Sequence, residues 1–170
     1  MLNDLELAAG DVQGGGKMEL RLWLRLLSTT KLISQELRRR LRIEFNVTLP
    51  QFDVLAQLHR EPDGLRLGDL SQRTMVTNGN ITGLVERLET DGLLVRERLR
   101  EDRRVTVARL TEHGRSEFER MAHAHESWLK ELMRDMDPEV LTSLFSHVSE
   151  IKHAALTRFA ATDELDGALD

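Results

Sequence analysis

Cysteine is absent from this chain of 170 residues. Disulfides, thiolate metal sites and thiol-based oxidant sensing are therefore excluded. No apolar run approaches the roughly 20 residues needed to span a bilayer. The amino-terminal stretch places Asp4, Glu6 and Asp11 ahead of its first lysine, unlike the basic start and apolar core of a secretory signal. These absences predict a soluble, cytoplasmic protein with no membrane partner. The chain also lacks a G-x-S-x-G elbow, a glycine-rich phosphate loop, an H-E-x-x-H pair and a cysteine nucleophile, so neither an enzyme nor a cofactor is expected. Among the six histidines, His123 and His125 are two residues apart on an expected helix and face different ways. His147 and His153 are also poorly spaced, which argues against a metal site. Proline is scarce, with three residues, and each stands where an element should begin or turn.

The hydrophobic share of 40% and charged share of 31% are those of an ordinary globular domain. The net charge of −5 opposes nucleic-acid binding if it is spread evenly, so its distribution matters more than its sum. Arg60 to Thr111 holds 10 Arg against 9 Asp or Glu, a net of +1, which leaves −6 for the remainder. The basic excess is clearest at Arg96, Arg98, Arg100, Arg103 and Arg104.

Residues 1–17 include Gly10 and Gly14 to Gly16 without a sustained apolar period, and 162–170 is short and acidic; both are expected to be tails. Leu26, Ile33, Leu37 and Leu41 mark a helix over about 18–45, and further leucines with Trp23 widen its apolar stripe. Thr48 and Gln51 have capping-box spacing and Pro50 suits a first turn, predicting a helix from Pro50 to Arg60. Glu61-Pro62-Asp63-Gly64 reads as a turn. Leu67 to Arg73 then reads as a short helix, Val76 to Gly79 as a turn, and Asn80 to Thr90 as a helix burying Ile81, Leu84, Val85 and Leu88. This is a helix-turn-helix pattern. Gly92 should end its second helix, and Leu93 to Arg98 with Val105 to Leu110 should form a β-hairpin wing. Thr111 can cap a helix reaching about Met136, and Asp137-Pro138-Glu139 opens the last helix. The fold class expected is mainly α with a small β-hairpin.

The stretch Asp102-Arg103-Arg104-Val105-Thr106-Val107-Ala108-Arg109-Leu110-Thr111, a D-x-R loop feeding an alternating strand that ends in Leu-Thr, resembles the wing signature of the MarR family of transcriptional regulators. Leu88 to Arg96 is similar to that family's exit from the recognition helix, and the helix order fits from about 18 to 160. The resemblance implies a sequence-specific DNA-binding regulator: one domain over 18–161, a winged helix-turn-helix over about 50–111, and dimerisation helices over about 18–45 and 112–161. A helix in the major groove needs short polar groups near its N-terminus, which Thr77, Asn78, Asn80 and Thr82 supply. Arg87 could reach a guanine or a phosphate. Gly79 and Gly83 weaken this helix, so packing or close approach must account for them. The resemblance carries a minor-groove role onto Arg104, with Asp102 orienting it, and a phosphate contact onto Arg103.

The same resemblance implies a homodimer bound to a near-palindromic duplex, with a small-molecule effector held among the first, second and fifth helices. Trp23, Leu27, Thr30, Phe52, Leu55, Phe118 and Met121 are the candidate lining, although plain core is the simpler account of each, because apolar residues at helical spacing need no ligand to explain them. Arg38, Arg39, Arg40 and Arg42 form a basic run suited either to an anionic group or to solvation. With thiol oxidation and metal set aside, the effector expected is an aromatic acid or its coenzyme A thioester, releasing a repressor. Activation without an effector, and a protein-docking use of the fold, remain the alternatives.

Overall fold

The computed structural model describes residues 18–74, 78–98 and 105–166; the side chains of 78 and 160–166 are not described. Among the described residues there are six helices and three strands: α1 (Met18–Phe45), α2 (Leu49–Arg60), β1 (Leu65–Arg66), α3 (Leu67–Thr74), α4 (Asn78–Thr90), β2 (Leu94–Arg98), β3 (Thr106–Leu110), α5 (Glu112–Leu132) and α6 (Pro138–Asp166). The chain forms two compact units, one running to Trp128 and the other from Leu129.

In the first unit, α2 begins with the expected capping box. The Thr48 backbone N–H donates to Gln51 Oε1 at 2.9 Å, and the Gln51 N–H returns to the Thr48 hydroxyl. Two otherwise orphaned donors are satisfied by this exchange. Asn46 precedes it in the left-handed region, with φ 54°, a conformation that asparagine tolerates better than most residues. After α2, Gly64 has φ +89°, and a Cβ there would lie 2.5 Å from the Ala108 carbonyl oxygen. The turn therefore presses on β3, and the next two residues pair with it as Leu65↔Ala108 and Arg66↔Val107. This short strand was not expected, because two residues carry no alternation and its partner lies far along the chain. The sheet is antiparallel in the order β1-β3-β2, with β2 and β3 in register from Leu94↔Leu110 to Arg98↔Thr106.

The helix-turn-helix is formed by α3 and α4, but α4 starts earlier than its sequence suggests. Asn78 and Gly79, expected in the turn, occupy its first turn; Val76 and Thr77 lie outside the described residues. At the other end, the Gly92 N–H donates to Glu89 O and the Leu93 N–H to Leu88 O, both at 2.9 Å, with Gly92 at φ +74°. This is a Schellman stop, and Leu88 and Leu93 are both buried as such a stop favours. Leu41, Val54, Leu55, Leu58, Leu70, Ile81, Val85, Leu88 and Ala108 form a continuous buried cluster under α2, α3, α4 and the sheet.

Helix α5 is capped by Thr111, whose hydroxyl accepts from the Gly114 N–H at 2.9 Å and donates to Gly92 O at 2.8 Å. It ends at Leu132 rather than Met136, and Met133 to Met136 form turns. In the second unit, Asp137 Oδ1 accepts from the Glu139 N–H at 2.7 Å, as expected of an N-cap. Helix α6 continues to Asp166, so 162–166 is helical rather than part of a tail. Among the described residues no helix is long and apolar enough to cross a membrane.

Aromatic groups of α2 and α5 meet inside the first unit. The Phe52 and Phe118 rings are 5.5 Å apart, and the His125 ring stacks on Phe52 at 5.0 Å. Burial holds the His125 imidazole below its ordinary value of 6.5, against the opposing charge of Asp53. Burial likewise pushes the Asp53 carboxyl up, against His125. A histidine with a lowered folded pKa binds fewer protons folded than unfolded, so its contribution is lost as pH falls through 6.5. The raised Asp53 acts oppositely, but in a lower window above 3.8. Denaturant titrations between about pH 7 and pH 5 should show stability falling, and His125→Gln should flatten that slope.

Candidate nucleic-acid interface

Helix α4 divides cleanly into two faces. Ile81, Val85 and Leu88 are buried and Leu84 is half-buried, while Gly79, Asn80, Thr82, Gly83, Glu86, Arg87 and Thr90 are exposed. The buried residues anchor the helix, and the other face is polar and exposed. A Cβ built on Gly79 or Gly83 would meet nothing within 4 Å among the described residues. Packing therefore does not explain these glycines. Four residues apart, they leave a low strip beside Asn80 where another molecule can approach the helix backbone.

The expected contact residues are only partly brought together. Asn80 and Thr82 are both exposed but, two residues apart, stand at opposite edges of the polar face, and Asn78 opens the helix through its backbone. Arg87 projects from the same face and is 3.2 Å through Nε from Asp91 Oδ2. Thr77, Asp102, Arg103 and Arg104 lie outside the described residues.

Arg96, counted in the basic excess, is engaged within the chain. Its guanidinium reaches Glu89 Oε2 at 2.6 Å and Glu86 Oε1 at 3.2 Å, and its backbone N–H donates to Glu89 Oε1 at 3.1 Å. The Arg96 hydrogen bond is the main reason that the Glu89 carboxyl sits below its usual range. The arginine therefore fastens β2 to α4, fixing the angle between wing and helix. Arg109 pairs diagonally with Glu97 across the hairpin, and Arg73 with Glu61 at 2.7 Å. Arg60, Arg66 and Arg98 have no acidic partner among the described residues.

None of the clefts found among the described residues is lined by the expected effector residues as a group. Phe52, Leu55, Phe118 and Met121 are buried in the continuous core, whereas Trp23 is 59% exposed. Thr30 and Arg38 are exposed, and Leu27 is half-buried. Arg39 and Arg40 both bind Glu36, each at 2.7 Å, and the Arg40 guanidinium lies 5.9 Å over the Trp128 ring. Of the candidates, Met121 alone borders a described cleft, of about 360 Å³, together with Phe45, Val47, Leu93, His113 and Glu117. Phe45 and His113 could not be singled out from spacing, because they meet only after α1 and α5 have packed.

If Arg96 fixes the wing, Arg96→Met should keep its stem packing but free the hairpin. Amide hydrogen exchange of Arg98 and Thr106 should accelerate about tenfold, roughly 1.4 kcal/mol of local opening. Exchange at Val85 and Leu88 should change little.

A family model described as MarR family matches residues 45–105. An uncharacterised HTH-type transcriptional regulator of Bacillus cereus is 30% identical over 131 residues, covering 75% of this chain and 86% of that protein. The transcriptional activatory protein BadR of Rhodopseudomonas palustris is 34% identical over 118 residues, covering 67% of each chain. A MarR family transcriptional regulator from Silicibacter pomeroyi superposes with a TM-score of 0.70 at 36% identity, covering 81% of this chain and 94% of that one. These relatives are regulators of transcription, not enzymes, and their winged-helix fold is the one described above. With the helix-turn-helix and paired wing in place, this chain belongs to the MarR family of transcriptional regulators.

Proposed function

We propose that the chain acts as a homodimer that binds a near-palindromic DNA duplex through α4 and the wing, repressing transcription until an anionic aromatic effector releases it. The observation that carries the DNA-binding part is the exposed face of α4, where Asn80, Thr82 and Arg87 flank glycines that no packing requires. Short polar side chains on a helix that can approach closely are what reading base edges in a major groove demands. In this reading Thr77 and Asn78 join them at the helix start, Arg104 enters the minor groove with Asp102 orienting it, and Arg103 meets a phosphate.

Dimerisation is supported by apolar surface that neither terminal helix hides. On α1, Met18, Trp23 and Leu32 are exposed, and on α6, Leu144, Phe145, Val148, Ile151, Leu156 and Phe159 are. Surplus of this extent marks an interaction surface. A two-fold pair would set two recognition helices about 34 Å apart, one turn of DNA. An effector acting among α1, α2 and α5 would have to open the Phe52–Phe118 contact or use the cleft at Phe45 and Met121, and either would disturb the frame that carries α4. An activating role is the second reading, favoured by the likeness to BadR, an activatory protein.

The purified protein should prefer its own promoter over random duplex of equal length, and binding should weaken steeply with salt. Absence of that preference would overturn the DNA-binding reading. Gly83→Ala gives a sharper test, since the new methyl group meets nothing within 4 Å among the described residues. It should raise folding stability by about 1 kcal/mol through helix propensity, yet lower operator affinity about tenfold. A variant that is stabilised and binds unchanged would remove close approach at Gly83. Benzoate-type acids and their coenzyme A thioesters should raise the melting temperature if they are effectors, by about 2.7 kcal/mol of stabilisation at a hundred times Kd.

A further inference from the structure

A cleft of about 340 Å³ opens where the end of α1 and the start of α2 meet α4, lined by Arg42, Asn46, Thr48, Gln51, Leu84 and Arg87. Two of these residues carry guanidinium groups and none carries a carboxylate, in a chain with a net charge of −5. The other two described clefts are lined by Asp91 and Glu117 or by Glu119. Convergence of the two arginines is set by the fold. The left-handed Asn46 turns the chain between α1 and α2, and the Val47 N–H donates to Leu41 O at 3.3 Å, closing the reversal. Thr48 and Gln51 are bonded to each other in the capping box, so they form wall rather than offer free donors.

The donors left are Arg42, the Asn46 amide and the terminal nitrogens of Arg87, whose Nε faces Asp91. The four-arginine run of α1 is thus divided: Arg39 and Arg40 are bound to Glu36, whereas Arg42 has no acidic partner among the described residues. Such a donor set suits an anion with several acceptor oxygens. Its position selects among anions. Arg87 lies seven residues beyond Asn80 on α4, about 10 Å along the helix. With Asn80 at base edges, Arg87 reaches the strand that flanks the groove.

We propose that the Arg42–Arg87 cleft seats a phosphodiester of the DNA backbone, making the end of α1 a third contact element beside α4 and the wing. This rests on the DNA-binding reading above. The cleft, of about 340 Å³, exceeds one phosphate in volume. A free carboxylate could satisfy the same donors, and the experiment separates the two.

Full-length protein is titrated onto its promoter duplex and onto random duplex of equal length over a series of salt concentrations. Arg42→Ala should weaken binding to both duplexes by a similar factor, about 5- to 10-fold, and reduce the slope of log affinity against log salt by about 0.9 per protomer. Arg42→Lys should restore most of that slope, and Arg42→Gln should not. Lys31→Ala, an equal change of charge higher on exposed α1, should leave the slope intact. Melting temperatures of all variants establish that they fold. The proposal is overturned if the wild type binds DNA while Arg42→Ala keeps its slope, or if Lys31→Ala loses as much. It is also overturned if Arg42→Ala weakens only promoter binding, which is base reading, or only the response to added benzoate, which is a free-anion seat. A wild type that binds neither duplex overturns the functional reading and this inference together.

Discussion

The start of α5 is held against the exit of α4 so closely that no side chain fits between them. A Cβ on Gly114 would lie 1.7 Å from the Leu93 carbonyl oxygen, and that oxygen already accepts the Thr111 N–H at 3.1 Å. Thr111 in turn joins Gly92 O to the Gly114 N–H through one hydroxyl. Four residues therefore tie together the end of the recognition helix, the end of the wing and the beginning of α5. The contact is between backbones, so it fixes angles more rigidly than side-chain packing could. Any displacement of α5 is passed directly to the helix and hairpin placed to meet DNA. An effector that moved α5 would need no separate relay.

The acidic chain reconciles with a DNA-facing role through the way its charges are spent. Glu86, Glu89, Glu97 and Glu61 each hold an arginine of the helix-turn-helix and wing region. These exposed pairs contribute little stability individually, but they set directions: Arg96 joins sheet to helix, and Arg109 stiffens the hairpin. Arg42, Arg60, Arg66 and Arg98 have no acidic partner among the described residues and can act outward. A count of charges treats both groups alike, and the structure separates them.

Features governed by neighbours in sequence were legible before folding was considered. The capping box at Thr48, the glycine stop at Gly92, the Thr111 and Asp137 caps and the buried stripe of α4 each need only a few consecutive residues. Errors arose where remote contacts or weak local signals decide. Asn78 and Gly79 have turn-like propensity, yet they extend α4. Leu65 and Arg66 become a strand only because Gly64 lets the turn lie against β3. Arg96 was counted in the local basic excess, and its pairing with Glu86 and Glu89 could not be seen there because they become neighbours only when the hairpin folds back. Phe52, Leu55 and Phe118 lie in the buried core, and composition alone does not distinguish a lining from a core.

The sheet order β1-β3-β2 makes the wing a braced arm. Its middle is held on one side by β1 against Val107 and Ala108 and on the other by the salt bridges of Arg96, which lies opposite Ala108, so that among the described residues the pair Arg98↔Thr106 lies just beyond both braces. Five paired residues extend about 17 Å, so a rotation of the braced unit by about 10° about its Leu94↔Leu110 end carries Arg98 and Thr106 about 3 Å. That displacement is comparable to the length of a hydrogen bond. A small change of angle, governed by the glutamates that hold Arg96, is enough to shift this end of the hairpin relative to a groove.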